Sequence, residues 1–247
     1  LVDLAQKIDI SLTQLRDANE THQPSAFSTS LSAEDMVLLD LIERSELDVD
    51  VFTLDTGRLP YETYEVIDLA RQKYNRGIRL LFPESNDVET FVNLHGVNSF
   101  YGSKDLRQMC CQIRKVKPLK RGLEGKQLWI TGLRSAQSVV TRSNIEAISW
   151  DATYGLYKLN PILDWSTSEV FEYIEKYSVP ISGLYKQGYT SIGCAPCTRP
   201  TKSGESERSG RWWWEDLENK ECGLHVDAQG RLVRSSERDN GDESNKL

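Results

Sequence analysis

The amino-acid sequence predicts an α/β fold, a mainly parallel sheet flanked by helices. Three observations carry this expectation. Strand-like and helix-like segments alternate from residue 26 onward, the pattern of parallel strands joined by crossover helices. The 247 residues are 38% hydrophobic and 27% charged, a globular composition long enough to bury a full core. Two strand ends run into turns of small polar residues, Ser28-Thr29-Ser30-Leu31-Ser32 and Asp55-Thr56-Gly57-Arg58. Sheets of this kind hold ligands at such turns.

Residues 1–19 read as an amphipathic helix, since Leu4, Ile8, Leu12 and Leu15 recur at steps of three and four. Residues 26–30 read as a strand running into a turn. Ser32 then stands at the cap of a helix whose apolar face is Val37, Leu38, Leu41 and Ile42, with Asp35 at the N3 position of a weak capping box. Residues 48–54 give a second strand. Pro60 and Tyr61 open another helix, proline in its tolerated first turn. Residues 78–82 give a third strand, and further strands fall at 127–131, 145–149 and 156–159. A helix at 166–176 starts from a cap at Asp164 or Ser166. After Pro180 the regular pattern fades, and 183–211 are rich in Gly, Ser, Pro and Arg. Residues 227–247 are polar, with hardly any large apolar side chains, and are expected to form a flexible tail. The expectation is one domain over 1–226: an N-terminal helix at 1–19, an α/β core at 25–180 and a C-terminal segment at 181–226.

A net charge of −7 argues against general affinity for nucleic acid or acidic membranes. No apolar run is long enough to span a bilayer, and the first residues lack a signal peptide's basic and apolar regions. The five cysteines are odd in number and fall as Cys110-Cys111, Cys194 with Cys197, and Cys222 alone. A secreted disulfide scaffold is shorter and even in count. Two pairs and a singleton point to a four-thiolate metal site plus one reactive thiol in a reducing, cytoplasmic compartment.

Cys194-Ala195-Pro196-Cys197 spaces two thiols for chelation. Adjacent cysteines chelate one small ion poorly, whereas a multi-iron cluster offers each its own corner, which favours iron–sulfur over zinc. Buried apolar thiols or a redox disulfide are the plainer readings of either pair taken singly. If residues 110–119 are helical, Arg114 and Lys115 each lie four residues after a cysteine, placed to offset thiolate charge or reach an anion, or equally to form a solvated basic face. Cys222 sits in Lys220-Glu221-Cys222-Gly223-Leu224-His225, where Lys220 and His225, with Arg199, Arg208 and Arg211 if the loop folds over, would lower a thiol's pKa. An unreactive surface cysteine is the alternative. Trp212-Trp213-Trp214 reads as an anchor, a partner surface or plain core packing. The Ser28–Ser32 turn would present hydroxyls and backbone N–H groups to an anion; as an isolated segment it reads rather as an ordinary capped turn. His22 and His95 carry no assignment. No G-x-G-x-x-G fingerprint, Walker A loop or nucleophile elbow is present.

Several stretches together resemble the assimilatory adenylyl-sulfate (APS) and 3′-phosphoadenylyl-sulfate (PAPS) reductases. They are Leu54-Asp55-Thr56-Gly57-Arg58-Leu59-Pro60, Cys110-Cys111 with Arg114-Lys115-Val116, and Trp129-Ile130-Thr131-Gly132-Leu133-Arg134 running on to Gln137-Ser138 and Arg142. The strongest are Ser191-Ile192-Gly193-Cys194-Ala195-Pro196-Cys197-Thr198-Arg199, Gly210-Arg211-Trp212-Trp213-Trp214-Glu215 and the run from Lys220 to His225. The similarity covers about 26–226 and implies an adenine nucleotide alpha hydrolase-like fold. It also implies that Ser28, Ser30, Leu54, Gly57 and Gly132 bind the adenosine, while Lys115, Arg142, Arg208 and Arg211 hold phosphate and sulfate. Cys110, Cys111, Cys194 and Cys197 look like the ligands of the 4Fe–4S cluster of the cluster-bearing branch. Cys222 looks like the catalytic thiol, with His225 beside it.

The reaction implied is attack by the Cys222 thiolate on the substrate sulfur, AMP leaving, followed by release of sulfite from a Cys S-sulfonate by a thiol donor. No further C-x-x-C follows residue 226, so the electrons are expected from a separate protein, thioredoxin or glutaredoxin. A homo-oligomer, dimer or tetramer, is implied by the family alone. The rivals are a reductase of the 3′-phosphorylated substrate, which typically lacks the cysteine pairs, an ATP-dependent adenylyl-transferring enzyme, and a cysteine-based sensor. The second would need a glycine-rich S-G-G-x-D-S loop, replaced here by Ser28-Thr29-Ser30-Leu31-Ser32-Ala33. The third leaves the arginines unexplained.

Overall fold

A computed structural model describes residues 3–135 and 146–215. In chain order the elements are α1 (Leu4–Thr21), β1 (Ser25–Thr29), α2 (Ala33–Arg44), β2 (Asp50–Leu54), α3 (Tyr61–Tyr74), β3 (Arg79–Leu81) and α4 (Ser85–His95). There follow α5 (Lys104–Cys111), α6 (Lys117–Leu123), β4 (Leu128–Ile130), β5 (Ile148–Asp151), β6 (Leu156–Leu159) and α7 (Thr167–Tyr177). A wide π turn at Gln112–Val116 joins α5 to α6.

The six strands form one sheet in the order β3-β2-β1-β4-β6-β5. All pairings are parallel except β5 with β6, so β5 is an antiparallel edge. The alternation of side chains along each strand builds two apolar layers. Phe27, Val51, Leu128, Ile130 and Leu159 face the layer covered by α1, α2, α3 and α7. Ala26, Phe52, Trp129 and Leu156 face the opposite layer, closed by Leu119 and Leu123 of α6. The chain winds from β1 to β2 on one side and returns to β4 on the other. That reversal opens a crevice beyond the carboxyl ends of β1 and β4, where such sheets bind ligands.

Local chemistry explains the helix ends and corrects several expectations. α1 extends to Thr21 and is held by a capping box between Asp3 and Gln6. Pro60 stands at the N-cap of α3, one place before the first turn. Ser166, not Asp164, caps α7, in a reciprocal pair with Glu169. Ser32 occupies the N-cap of α2 without making a cap hydrogen bond. Its expected partner Asp35 turns back to accept from the backbone N–H and the hydroxyl of Ser30, both at 2.6 Å. β5 lies at 148–151 rather than 145–149; Ile145 falls outside the described residues. Helix α4 had not been anticipated, its apolar face being thin, with Phe91 its one buried residue.

Candidate active site

The turns that follow β1, β2 and β4 frame a cavity of about 230 Å³. Ser28, Ser30, Leu54, Lys115 and Gly132 all line it, as do Arg208 and Arg211 from the C-terminal segment. Gly57 does not. Its φ of +69° turns the chain after β2 and leaves room for the Arg114 guanidinium against it. Arg142, Cys222 and His225 lie outside the described residues, as does the predicted tail at 227–247.

One wall is built by the turn after β1. Leu31 takes a left-handed φ of 61°, an unusual conformation for a branched residue. The Asp35 carboxylate sits under this turn on Ser30, and burial raises its pKa to about 6. Gly132 also hydrogen-bonds to Asp35 through its backbone, and a Cβ at Gly132 would collide with that carboxylate. The N–H groups expected to greet an anion are thus partly engaged by the protein's own acid. Sequence reading missed this, because Asp35 read as a cap. Beside it, the Trp129 indole donates to the Ser28 hydroxyl at 2.7 Å, and the Lys158 ammonium lies 4.4 Å over the Trp129 ring.

The opposite wall is cationic. Lys115 arrives on the π turn, a distortion common at functional sites. Arg211 is held by a bridge between Thr198 and Arg211 and donates to the Ile192 carbonyl at 3.1 Å. Its guanidinium packs onto Gly193, where a Cβ would collide with it. Its Nε is buried without a hydrogen-bond partner among the described residues. A buried donor left in this state is costly unless something accepts from it.

A second, smaller chamber adjoins the first. Cys110, Cys111, Cys194 and Cys197 line it together with Arg114 and Trp212. Lys115 and Cys194 belong to the walls of both cavities. The two cysteine pairs are more than eighty residues apart in sequence, and two backbone links hold the Cys194–Cys197 turn in place. Ala195 donates to the Arg58 carbonyl at 2.8 Å, and Trp212 donates to the Cys197 carbonyl at 3.1 Å. The Thr56 hydroxyl lies 3.2 Å from the Cys194 thiol, and Arg114 donates to the Thr56 carbonyl at 2.6 Å.

All four cysteines are free thiols. Burial raises the pKa of Cys110, with Cys194 adding to the rise, while Arg114 opposes it by charge and by a hydrogen bond. The four-residue spacing of Arg114 from Cys110 therefore corresponds to a real contact. Burial also pushes Cys197 up to about 12; Cys194 and Cys111 add to this, whereas Lys115 and Arg211 oppose it. Four thiols so crowded ionise together only if cations compensate them. Among the described residues no three His, Cys, Asp or Glu close round a single ion. The donor set, four thiols about one chamber edged by arginines, fits a multi-iron cluster in its chemistry.

The tryptophan run divides its duties. Trp212 is buried between the Arg107 and Arg211 guanidinium groups, 4.7 and 4.9 Å from them. Trp214 packs edge-on against Tyr101 at 4.5 Å, while Trp213 is 40% exposed. Arg107, also buried, grips Glu215 through two bonds of 2.6 and 2.9 Å.

Comparison with known proteins follows from this geometry. Residues 24–200 match the family model described as the phosphoadenosine phosphosulfate reductase domain. The chain is 51% identical over 199 residues to the adenosine 5′-phosphosulfate reductase of Allochromatium vinosum, covering 81% of this chain and 77% of that one. It is 42% identical over 224 residues to the enzyme of the same name from Burkholderia cepacia, covering 91% and 89%. Among solved structures, a phosphoadenylyl-sulfate reductase from Candida auris, in a phosphate complex, superposes with a TM-score of 0.63 at 27% identity, over 75% of this chain and 88% of that one. The FMN adenylyltransferase of Candida glabrata in complex with ATP matches with a TM-score of 0.57 over 88% and 74%. At 16% identity this second likeness concerns the fold alone. Among the described residues, no helix is long and apolar enough to cross a membrane.

Proposed function

The chain belongs to the phosphoadenosine phosphosulfate reductase family, and on that premise we propose that it reduces adenosine 5′-phosphosulfate to sulfite and AMP in sulfate assimilation. The observation that carries this reading is the convergence of Lys115, Arg208 and Arg211 on the cavity at the strand ends. Three cations there suit the oxygens of a phosphosulfate, and the family likeness supplies the identity of that anion.

In this proposal the adenosine lies along Ser28, Ser30, Leu54 and Gly132, and the phosphosulfate meets Lys115, Arg208 and Arg211, with Arg142 joining them. The Cys222 thiolate attacks the sulfur, the S–O bond to the phosphate breaks, and AMP departs with the bonding pair. Cys222 is left as an S-sulfonate, with His225 beside it. A thiolate of thioredoxin or glutaredoxin then attacks the Cys222 sulfur and expels sulfite, and its second thiol resolves the mixed disulfide. The cations are required because an anionic nucleophile approaches an anionic target; guanidinium forks on the oxygens lower that repulsion.

Cys110, Cys111, Cys194 and Cys197 would hold a 4Fe–4S cluster, whose contribution when bound is to order the neighbouring cations electrostatically. Lys115, on the wall shared by the two cavities, is the residue through which that order reaches the substrate. The reading also includes a cytoplasmic location, drawn from the cysteine pattern, and a homo-oligomer, extended from the sequence resemblance. Parallel rate measurements on APS and PAPS with thioredoxin test the substrate. A strong preference for APS is expected, and a strong preference for PAPS would replace it with the 3′-phosphorylated substrate.

A further inference from the structure

We propose that Arg134 is a positioning residue for the substrate's anionic group, acting through Glu207 on Arg208. The Arg134 side chain is wholly buried and lies between two carboxylates from distant parts of the chain. It donates to Glu34, in the first turn of α2, at 2.6 Å and to Glu207, in the C-terminal segment, at 3.3 Å. Its other terminal nitrogen reaches the Trp165 carbonyl at 3.2 Å and the Thr167 hydroxyl at 3.3 Å. Both carboxylates line the large cavity, yet nothing in the reaction proposed above uses them.

The electrostatics give this bridge a direction. Two carboxylates near one another repel, and a single buried cation between them converts the repulsion into a link. Glu207 feels that link and also the charge of Arg208, its neighbour in sequence. Thr190 donates to the Glu207 carbonyl at 2.6 Å, so the backbone at this point is held as well as the side chain. The stretch that carries Arg208 is therefore pinned to α2 through Arg134, whereas Arg211 is held separately by its bridge to Thr198 and its bond to Ile192. Without Arg134, the Glu34 and Glu207 charges would push the segment away from the strand ends. The cation of Arg208 would move with it.

The inference rests on the substrate reading above, so its test uses binding rather than turnover. Titration calorimetry with AMP and with adenosine separates the anionic part of recognition from the nucleoside part. For Glu207→Gln, AMP binding is expected to weaken about tenfold, the scale of one charge-assisted hydrogen bond. Adenosine binding is expected to change less than about twofold. In an Arg208→Met background the same substitution is expected to add nothing, since its effect passes through that side chain. Arg134→Met gives the same pattern where it folds; if it does not fold, Glu207→Gln decides alone. Equal losses for AMP and adenosine, no loss for either, or full additivity with Arg208→Met would each overturn the proposal. Wild-type protein that binds neither compound would instead overturn the substrate reading itself.

Discussion

The Cys194 thiol lies 3.2 Å from the Thr56 hydroxyl. Thr56 belongs to the turn after β2, on the wall of the larger cavity, and Cys194 lines both that cavity and the four-thiol chamber. The place where nucleotide is proposed to bind and the place where a cluster is proposed to sit thus share a boundary rather than being separate sites.

Lys115 stands on that boundary. Replacing it by alanine removes a cation from the phosphosulfate wall, and kcat/KM for APS is expected to fall at least about tenfold. Steady-state kinetics on the purified variant check this. Unchanged affinity and rate would remove Lys115 from the account.

Gly132 and Asp35 form a second close relationship. A Gly132→Ala variant drives its Cβ into the Asp35 carboxylate. It is expected to lose about 1–3 kcal/mol of stability, the usual cost of overpacking. Denaturant unfolding measures that loss, and adding Asp35→Ser should recover part of it by clearing the space.

Asp35 also predicts a pH dependence. Its pKa is raised from 3.8 to about 6 by burial, so between those values the folded state holds more protons than the unfolded one. Stability from this group is therefore fully present below pH 3.8 and is lost as pH rises through about 6. The interval corresponds to about 3 kcal/mol. Asp35→Asn abolishes the titration, so its stability relative to the parent should increase from pH 4 toward pH 7. A difference independent of pH would contradict the assignment.

The Arg107–Glu215 pair predicts a stability cost. Both side chains are buried, and removing one strands the other as an unpaired charge. Arg107→Ala is expected to destabilise the fold by about 3–5 kcal/mol in equilibrium unfolding.

Much of the fold was legible in local pattern. Strand alternation and the apolar stripe of α2 specify β1, β2 and the crossover between them without reference to distant residues. α4 was not legible, because most of its surface faces solvent and Phe91 is its one buried residue. Of the residues the resemblance pointed to, Lys115, Arg208 and Arg211 line one cavity, and the two cysteine pairs line the chamber beside it. Asp35, Arg134, Trp129 and Lys158 were not singled out as site residues. Their importance arises from partners a hundred or more residues away in some cases, such as Arg134 with Glu34 and Trp129 with Ser28. A one-dimensional spacing does not encode such meetings. Gly57, read as a nucleotide contact, does not line the cavity, and its φ of +69° serves the turn after β2.

The central claim is the covalent step at Cys222, and intact-protein and peptide mass spectrometry tests it most directly. Protein mixed with APS in the absence of thioredoxin is expected to carry one SO3 increment on the Cys222 peptide, released as sulfite when thioredoxin is added and absent in Cys222→Ser. Protein that turns over APS with thioredoxin, yet carries no sulfonate on Cys222 before it is added, would contradict the account.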